Sequence, residues 1–350
     1  MVLNKNYLIF LFFSLSYISS SSQLLEKDTL SETQDTPYIL KIFDRINLKL
    51  DLDSEIESFI IKGSNNYKTD IRPNVSIKSK ISFDYKFISF SVGYIPKFLP
   101  GNNDDELKGK TKGFGLNLNL IFDHWLQGFK YSTVKGFYLA NTKELIPDWQ
   151  EGDPYIYVPD LEVISFQGST GYKFNPNFSL RAISAQTEIQ ARSTGSFIPG
   201  LLYNYYDIDN KSNNEEQTSS QNSKSFEVLL DIAYYYTVVL KNHWYASMGV
   251  SPSFGLNYTN LLTRLPAGNV RTKYTDPIVR INGHLGLGYN SDRFFGGGEI
   301  KGYESFRNEN STTMTVQTNN LAYQIFIGYR FDPPQFLKKT VNKMEGLIPF

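Results

Sequence analysis

The 350-residue chain contains no cysteine, which excludes disulfides, thiolate metal sites and a lipid-modified N-terminal cysteine. Its 35 basic and 35 acidic residues cancel, so no charge excess draws it to nucleic acid. Beyond the N-terminus no uninterrupted apolar run approaches the ~20 residues of a membrane helix. That excludes a helical membrane protein. Histidine and tryptophan are scarce, three of each, whereas tyrosine (24) and phenylalanine (26) abound. Amphipathic rings of this kind are favoured where a wall crosses a membrane–water boundary.

The first 22 residues read as a secretory signal. Lys5 supplies the positive start, Tyr7 to Ile18 the apolar centre, and Ser20-Ser21-Ser22 a cleavage zone before Gln23. Residues 23–43 then form a charged periplasmic lead-in, 44–331 a barrel, and 332–350 a C-terminal periplasmic tail. An exported chain without disulfides must gain its stability from hydrogen bonding and burial.

The pattern that fills 44–331 is alternation. Leu321, Tyr323, Ile325, Ile327, Tyr329 and Phe331 share one face of a strand, and Ala322, Gln324, Gly328 and Arg330 the other, joined by Phe326. Similar segments recur, with Gly, Ser and Asn prominent on the second face. Short turns such as Asn175-Pro176-Asn177 and Asn290-Ser291-Asp292 alternate with long polar loops. Counting back from Phe331 gives twelve strands beginning near Arg72; adding residues 45–62 gives fourteen. One of these strands starts at Phe178 and shifts phase near Ile183, as a bulge would.

A secreted β-sandwich also alternates, but its outer face needs soluble, strand-favouring residues. A face of Gly, Ser and Asn suits instead the concave inside of a closed barrel. A dozen strands with one greasy side would leave surplus apolar surface in two sheets; lipid absorbs it, and closure removes every edge. The expected fold is therefore all-β: a single antiparallel transmembrane β-barrel of 12–14 strands, short periplasmic turns and longer outer loops. The location this implies is the outer membrane of a Gram-negative bacterium. Its partners would be outer-membrane lipid and the barrel-assembly machinery, which reads Tyr329 and Phe331 at the closing strand.

Several pieces, in order along the chain, carry a resemblance: Asp70-Ile71-Arg72-Pro73-Asn74, Gly109-Lys110-Thr111-Lys112-Gly113-Phe114, Lys135-Gly136-Phe137-Tyr138, Ser193-Thr194-Gly195-Ser196-Phe197 and Gly288-Tyr289-Asn290. With them the chain resembles a Bacteroidota family of outer-membrane barrels, domain of unknown function 4421 (DUF4421). The resemblance implies an outer-membrane location and supplies no catalytic residues.

Barrel hydrolases are recognised by a His-x-Ser pair on one strand face, and omptin-like proteases by Asp-x-His. Here the residues two after each histidine are Leu126, Tyr245 and Gly286, and those two before are Phe122, Lys241 and Asn282. Asp123 and His124 are adjacent and so point to opposite faces. No metal-site spacing appears, and Gly296-Gly297-Gly298 lacks the Lys-Ser/Thr of a phosphate loop, reading instead as sheet curvature. Neither catalytic residues nor cofactors are expected.

What remains is the lumen-facing charge set: Lys78, Lys80, Asp84, Lys130, Lys173, Arg181, Glu188, Glu227, Asp231, Arg280, His284, Glu299, Lys301 and Arg330. It reads either as a selectivity lining or as ion pairs filling the barrel. The expected function is a structural or passive small-solute barrel. The alternatives are a surface binding or adhesion protein using loops at 141–160, 209–224 and 259–275, and a hydrolase without a familiar signature. The tail, broken from the last strand by Pro333-Pro334, either docks in the periplasm or plugs the barrel.

Overall fold

Alternating side chains on β-branched and aromatic-rich segments favour strands with two unlike faces, and twelve of them close into a wall. The structure, a computed structural model, describes residues 37–54, 58–62, 68–211, 220–307, 315–317 and 319–346. Tyr38–Phe350 is one compact unit. Its strands are β1 (Ile46–Asp53), β2 (Lys78–Tyr85), β3 (Ile88–Tyr94), β4 (Lys112–Ile121), β5 (Trp125–Leu139), β6 (Tyr157–Tyr172), β7 (Thr194–Asn210), β8 (Ser220–Val239), β9 (Trp244–Leu265), β10 (Gly268–Asn290), β11 (Phe294–Arg307) and β12 (Asn319–Phe331). Each pairs antiparallel with its neighbours in chain order. Closure comes where β12 meets β1, with Gln324 opposite Asp53 and Phe331 opposite Ile46. No helix among the described residues is long and apolar enough to cross a membrane.

The expected count of twelve holds, but its membership does not. Residues 46–53, the segment that would have raised the count, are β1 of the ring. Residues 178–190 are not a bulged wall strand: they form a helical turn (Arg181–Ser184) and a short strand (Glu188–Gln190) that pairs with Ile39–Lys41. The outer loop expected at 259–275 is likewise strand, because β9 and β10 run on to a tight turn between Leu265 and Gly268. The signal at 1–22 and most of the lead-in lie outside the described residues.

Strands β7 to β10 are the longest, and one end of the ring carries the longer connections; we call it the loop end. There β5 bends at Gly136, whose φ of 89° and contact with the Lys110 carbonyl leave no room for a Cβ. The bend frees the end of β5 to pair with a short strand, Lys68–Pro73, which forms a hairpin with Phe59–Lys62. Phe59 from that hairpin then packs on Val134, Phe137, Leu161 and Val163.

At the opposite, turn end, the helix Gln335–Glu345 docks outside the wall through Leu337 and Val341 onto Tyr85 and Phe87. Lys86 ties it to Glu345 at 2.5 Å. The tail therefore lies against the rim, and another segment closes the barrel. A Cβ at Gly328 would collide with the Phe295 ring, and one at Gly297 would meet the Leu287 carbonyl at 2.6 Å and the Phe326 ring at 2.9 Å.

Outward positions are apolar over long runs, as on β8 (Phe226, Val228, Leu230, Ile232, Tyr234) and β10 (Val279, Ile281, Leu285, Leu287). Near the turn end this band finishes in touching aromatic rings. Trp125 stands edge-on to Tyr172, Tyr172 to Phe174, and Trp244 to Tyr289. Tyr329 and Phe331 belong to the same rim, with centroids 5.0 Å apart.

Candidate functional site

At the turn end most connections are a few residues long, but 173–193, between β6 and β7, folds back into the ring. Its course is set locally. The Asn175 side chain accepts from the Asn177 amide at 3.0 Å, an Asx turn, and Ser179 accepts from the Ala182 amide at 2.9 Å, starting the helical turn. Phe178 and Ile183 then pack on Ile198, Ala233 and Tyr245 of β7, β8 and β9.

Wall side chains grip the backbone of this plug from several sides. Asn47 of β1 donates to the Ala185 carbonyl at 2.7 Å, and Lys49 to Ser184 at 2.7 Å. Asn290 of β10 reaches the carbonyls of Ala182 (3.4 Å) and Glu188 (3.0 Å). Arg330 of β12 donates to the carbonyls of Gln186 and Ser291 and to Asn290 Oδ1 at 2.6 Å. The plug is thus bonded to β1, β10 and β12 and packed on β7, β8 and β9. It occupies the turn-end mouth.

Within the plug, Arg181 bridges Glu188 (2.9 Å) and Asp123 (2.8 Å). Ser179 donates to Glu188 at 2.5 Å. Lys173 is buried beside them and donates to the Phe178 carbonyl. Burial pushes its amine down to about 8, with Glu188 pulling the other way. At Asp123 burial favours the neutral acid, yet Arg181 and Lys41 outweigh it and hold the carboxyl below its usual range.

Two chambers share Asn117, Asn119 and Lys130, and one of them also touches Leu180, Ile183 and Ser184 of the plug. We call them turn-side and loop-side from their order along β8, β10 and β11, an order that reverses on β5. The turn-side chamber, about 420 Å³, is rich in charge: Lys49, Asp51, Lys78, Lys80, Glu299 and Lys301. Its charges are matched, Lys80 to Asp53 at 2.8 Å and Lys301 to Glu299 at 2.7 Å. The loop-side chamber, about 430 Å³, is lined by amides, hydroxyls and tyrosines, with Lys130 and Arg280 the only charged lining residues among those described.

The fourteen candidate residues all face inward, in two groups. Lys173, Arg181 and Glu188 stand on the plug, which corrects their assignment to a lumen-facing wall strand. The others line the wall. Glu227 accepts from Arg280 (3.0 Å) and Asn204 (3.1 Å). Asp231 accepts from Ser251 and from Ser253, the latter at 2.6 Å. His284 lies 3.0 Å from the Ser247 hydroxyl. Asp84 is buried opposite Asn47 in the ladder, and Lys78 and Lys130 line the turn-side chamber.

The sequence reading left out Asn47, Lys49, Asp51, Asp53 and Asn290, which hold the plug or line the chamber beside it. Four of them lie on the inner face of β1, whose alternation was plain; only its omission from the count hid them. No group of three or more metal-ligating side chains occurs among the described residues.

A family model described as a domain of unknown function (DUF4421) matches residues 33–331. No curated protein matches the chain. Solved structures similar in shape include the ferric yersiniabactin uptake receptor FyuA from Yersinia pestis, at 11% identity and a TM-score of 0.28 over 85% of this chain. This chain spans 44% of that receptor. The outer membrane protease OmpT from Escherichia coli is 9% identical, TM-score 0.34, with 85% and 100% of the two chains covered. For the translocator domain of autotransporter NalP from Neisseria meningitidis the figures are 9%, 0.38, 91% and 97%. None of these likenesses bears on activity.

Proposed function

The chain belongs to the DUF4421 family, and from the interior it builds we propose an outer-membrane barrel whose polar lumen takes small solutes behind a plugged mouth. The outer surface supports the membrane half of this reading. Outward residues from Phe226 to Val238 on β8, and from Pro277 to Tyr289 on β10, include no charge, where each would cost ~2–4 kcal/mol at a bilayer midplane. The aromatic rim at the turn end fits a membrane–water boundary. Export by residues 1–22 and recognition of Tyr329 and Phe331 by the assembly machinery belong to the same proposal.

One observation carries the solute half: among the described residues the interior holds two polar chambers that share lining residues, and the loop 173–193, paired with Ile39–Lys41, fills the turn-end mouth. A purely structural barrel has no use for that hollow. Held by hydrogen bonds to its backbone, the plug is a gate that local rearrangement can open.

The test is planar-bilayer conductance. Wild-type protein, shown to be folded by faster gel migration unheated than boiled, should conduct little. A variant with Phe178–Gln190 replaced by a short Gly-Ser linker should give steady ohmic conductance. If the folded variant still seals the bilayer, the pore reading fails.

A further inference from the structure

We infer that the loop-side chamber is a binding site for uncharged saccharides. The inference rests on the reading of the interior as accessible to solutes. A sugar presents two kinds of surface: ring faces of C–H groups, and a rim of hydroxyls that each donate and accept. A matching site needs aromatic faces, polar groups of both senses and no excess charge. The loop-side chamber has all three.

Tyr206, Tyr274 and Tyr303, from β7, β10 and β11, supply rings with an apolar body and a polar tip. Across the ring from β10 stands β4, whose Asn119 joins Gln167 of β6 in lining the other wall. Neither Asn119 nor Gln167 makes a side-chain hydrogen bond among the described residues, so each offers a donor and an acceptor. Ser305 is 6% exposed, and its hydroxyl has no partner among the described residues. A buried hydroxyl left unpaired is unfavourable, and a ligand able to reach it would relieve that.

Charge argues in the same direction. Arg280 is neutralised by Glu227 at 3.0 Å, and Lys130 sits where the two chambers meet. A phosphorylated or carboxylate ligand would find no cluster of cations here, because Arg280 is already paired and Lys130 stands at the junction of the chambers. The neighbouring turn-side chamber, dense in Lys and Asp, shows what a charged lining looks like in this same barrel. At about 430 Å³, the loop-side chamber falls within the ~300–1,000 Å³ of small-molecule sites.

The test is calorimetric titration of the full-length folded protein, in a detergent without a sugar headgroup, with glucose, cellobiose, maltose and maltotriose. Saturable binding to at least one is expected, with glucose 6-phosphate no tighter than glucose. Tyr274→Ala and Tyr303→Ala should each weaken binding tenfold or more. Asn119→Leu and Gln167→Leu remove amides that bond to nothing among the described residues, so they keep the test sound if a tyrosine variant fails to fold; each should weaken binding at least threefold. No saturable heat with any of the four sugars overturns the inference. So does tenfold preference for the phosphorylated sugar, or wild-type affinity in the folded variants. Saccharide binding without conductance in the plugless variant would sink the pore reading alone, and conductance without binding would sink this inference alone.

Discussion

The two halves of the interior are built on the same strands yet end up opposite in kind. Strand β10 shows it within eight residues: Asn282 lines the open loop-side chamber, whereas Asn290 is buried and bonded to the plug. Both lie on the inward parity of one strand. What separates them is the chain that folds in from the turn end. Packing density inside a barrel is decided by insertions, and the wall's alternation is silent about them.

The sharpest way to break this contrast is to remove the ion pair inside the plug. Arg181 and Glu188 are both nearly inaccessible, so Arg181→Met leaves a buried carboxylate without its guanidinium. A loss of ~3–5 kcal/mol is expected, and it should be local to the plug because the ring keeps its ladder. Amides of 178–190 should exchange far faster with solvent, and conductance should rise. Arg280→Met, which breaks the Glu227 pair of the loop-side half, should leave plug exchange as it was. Equal effects on the plug from both variants would erase the distinction between the halves.

Lys173 offers a pH test of the same half. Its folded value of about 8 lies below the usual ~10.4 of a lysine amine. Between those values the unfolded segment binds more protons than the folded one, so plug stability rises with pH across that window. Below about pH 8 the buried ammonium weighs fully against the fold, by no more than ~3 kcal/mol. Exchange of the plug amides, corrected for intrinsic rate, should therefore slow from pH 8 to 10. Lys173→Met should flatten that slope; a slope unchanged in the variant would assign it to another group.

How far the sequence reaches follows the same division. Strand parity put Leu321 through Phe331 outward, Arg330 inward, and even the odd Phe326 inward, because a ring of twelve strands imposes one rule on every residue. The plug obeys no period. Phe178 and Ile183 are apolar because they pack on Ala233 and Tyr245, and in sequence that is indistinguishable from a strand losing phase. Pairing was illegible for another reason. Glu227 and Arg280 meet across β9, between strands that are not neighbours, because the β9 inner face there is small: Ser251, Ser253 and Gly255. Such a contact depends on three registers at once.

The mildest and cleanest comparison sets two identical substitutions on β10 side by side. Asn290→Ala removes donors to the Ala182 and Glu188 carbonyls and the oxygen that accepts from Arg330 at 2.6 Å. Leaving those buried groups unpaired should cost ~2–3 kcal/mol. Asn282→Ala removes one bond, to the Ser251 carbonyl at 3.2 Å, beside a chamber with room for water to replace the lost amide. Its expected cost is ~1 kcal/mol or less. Urea unfolding of both variants in the same lipid or detergent reads the difference directly. If Asn282→Ala proved as damaging as Asn290→Ala, the loop-side chamber would be packed rather than hollow, and the solute and saccharide readings would lose the space they require.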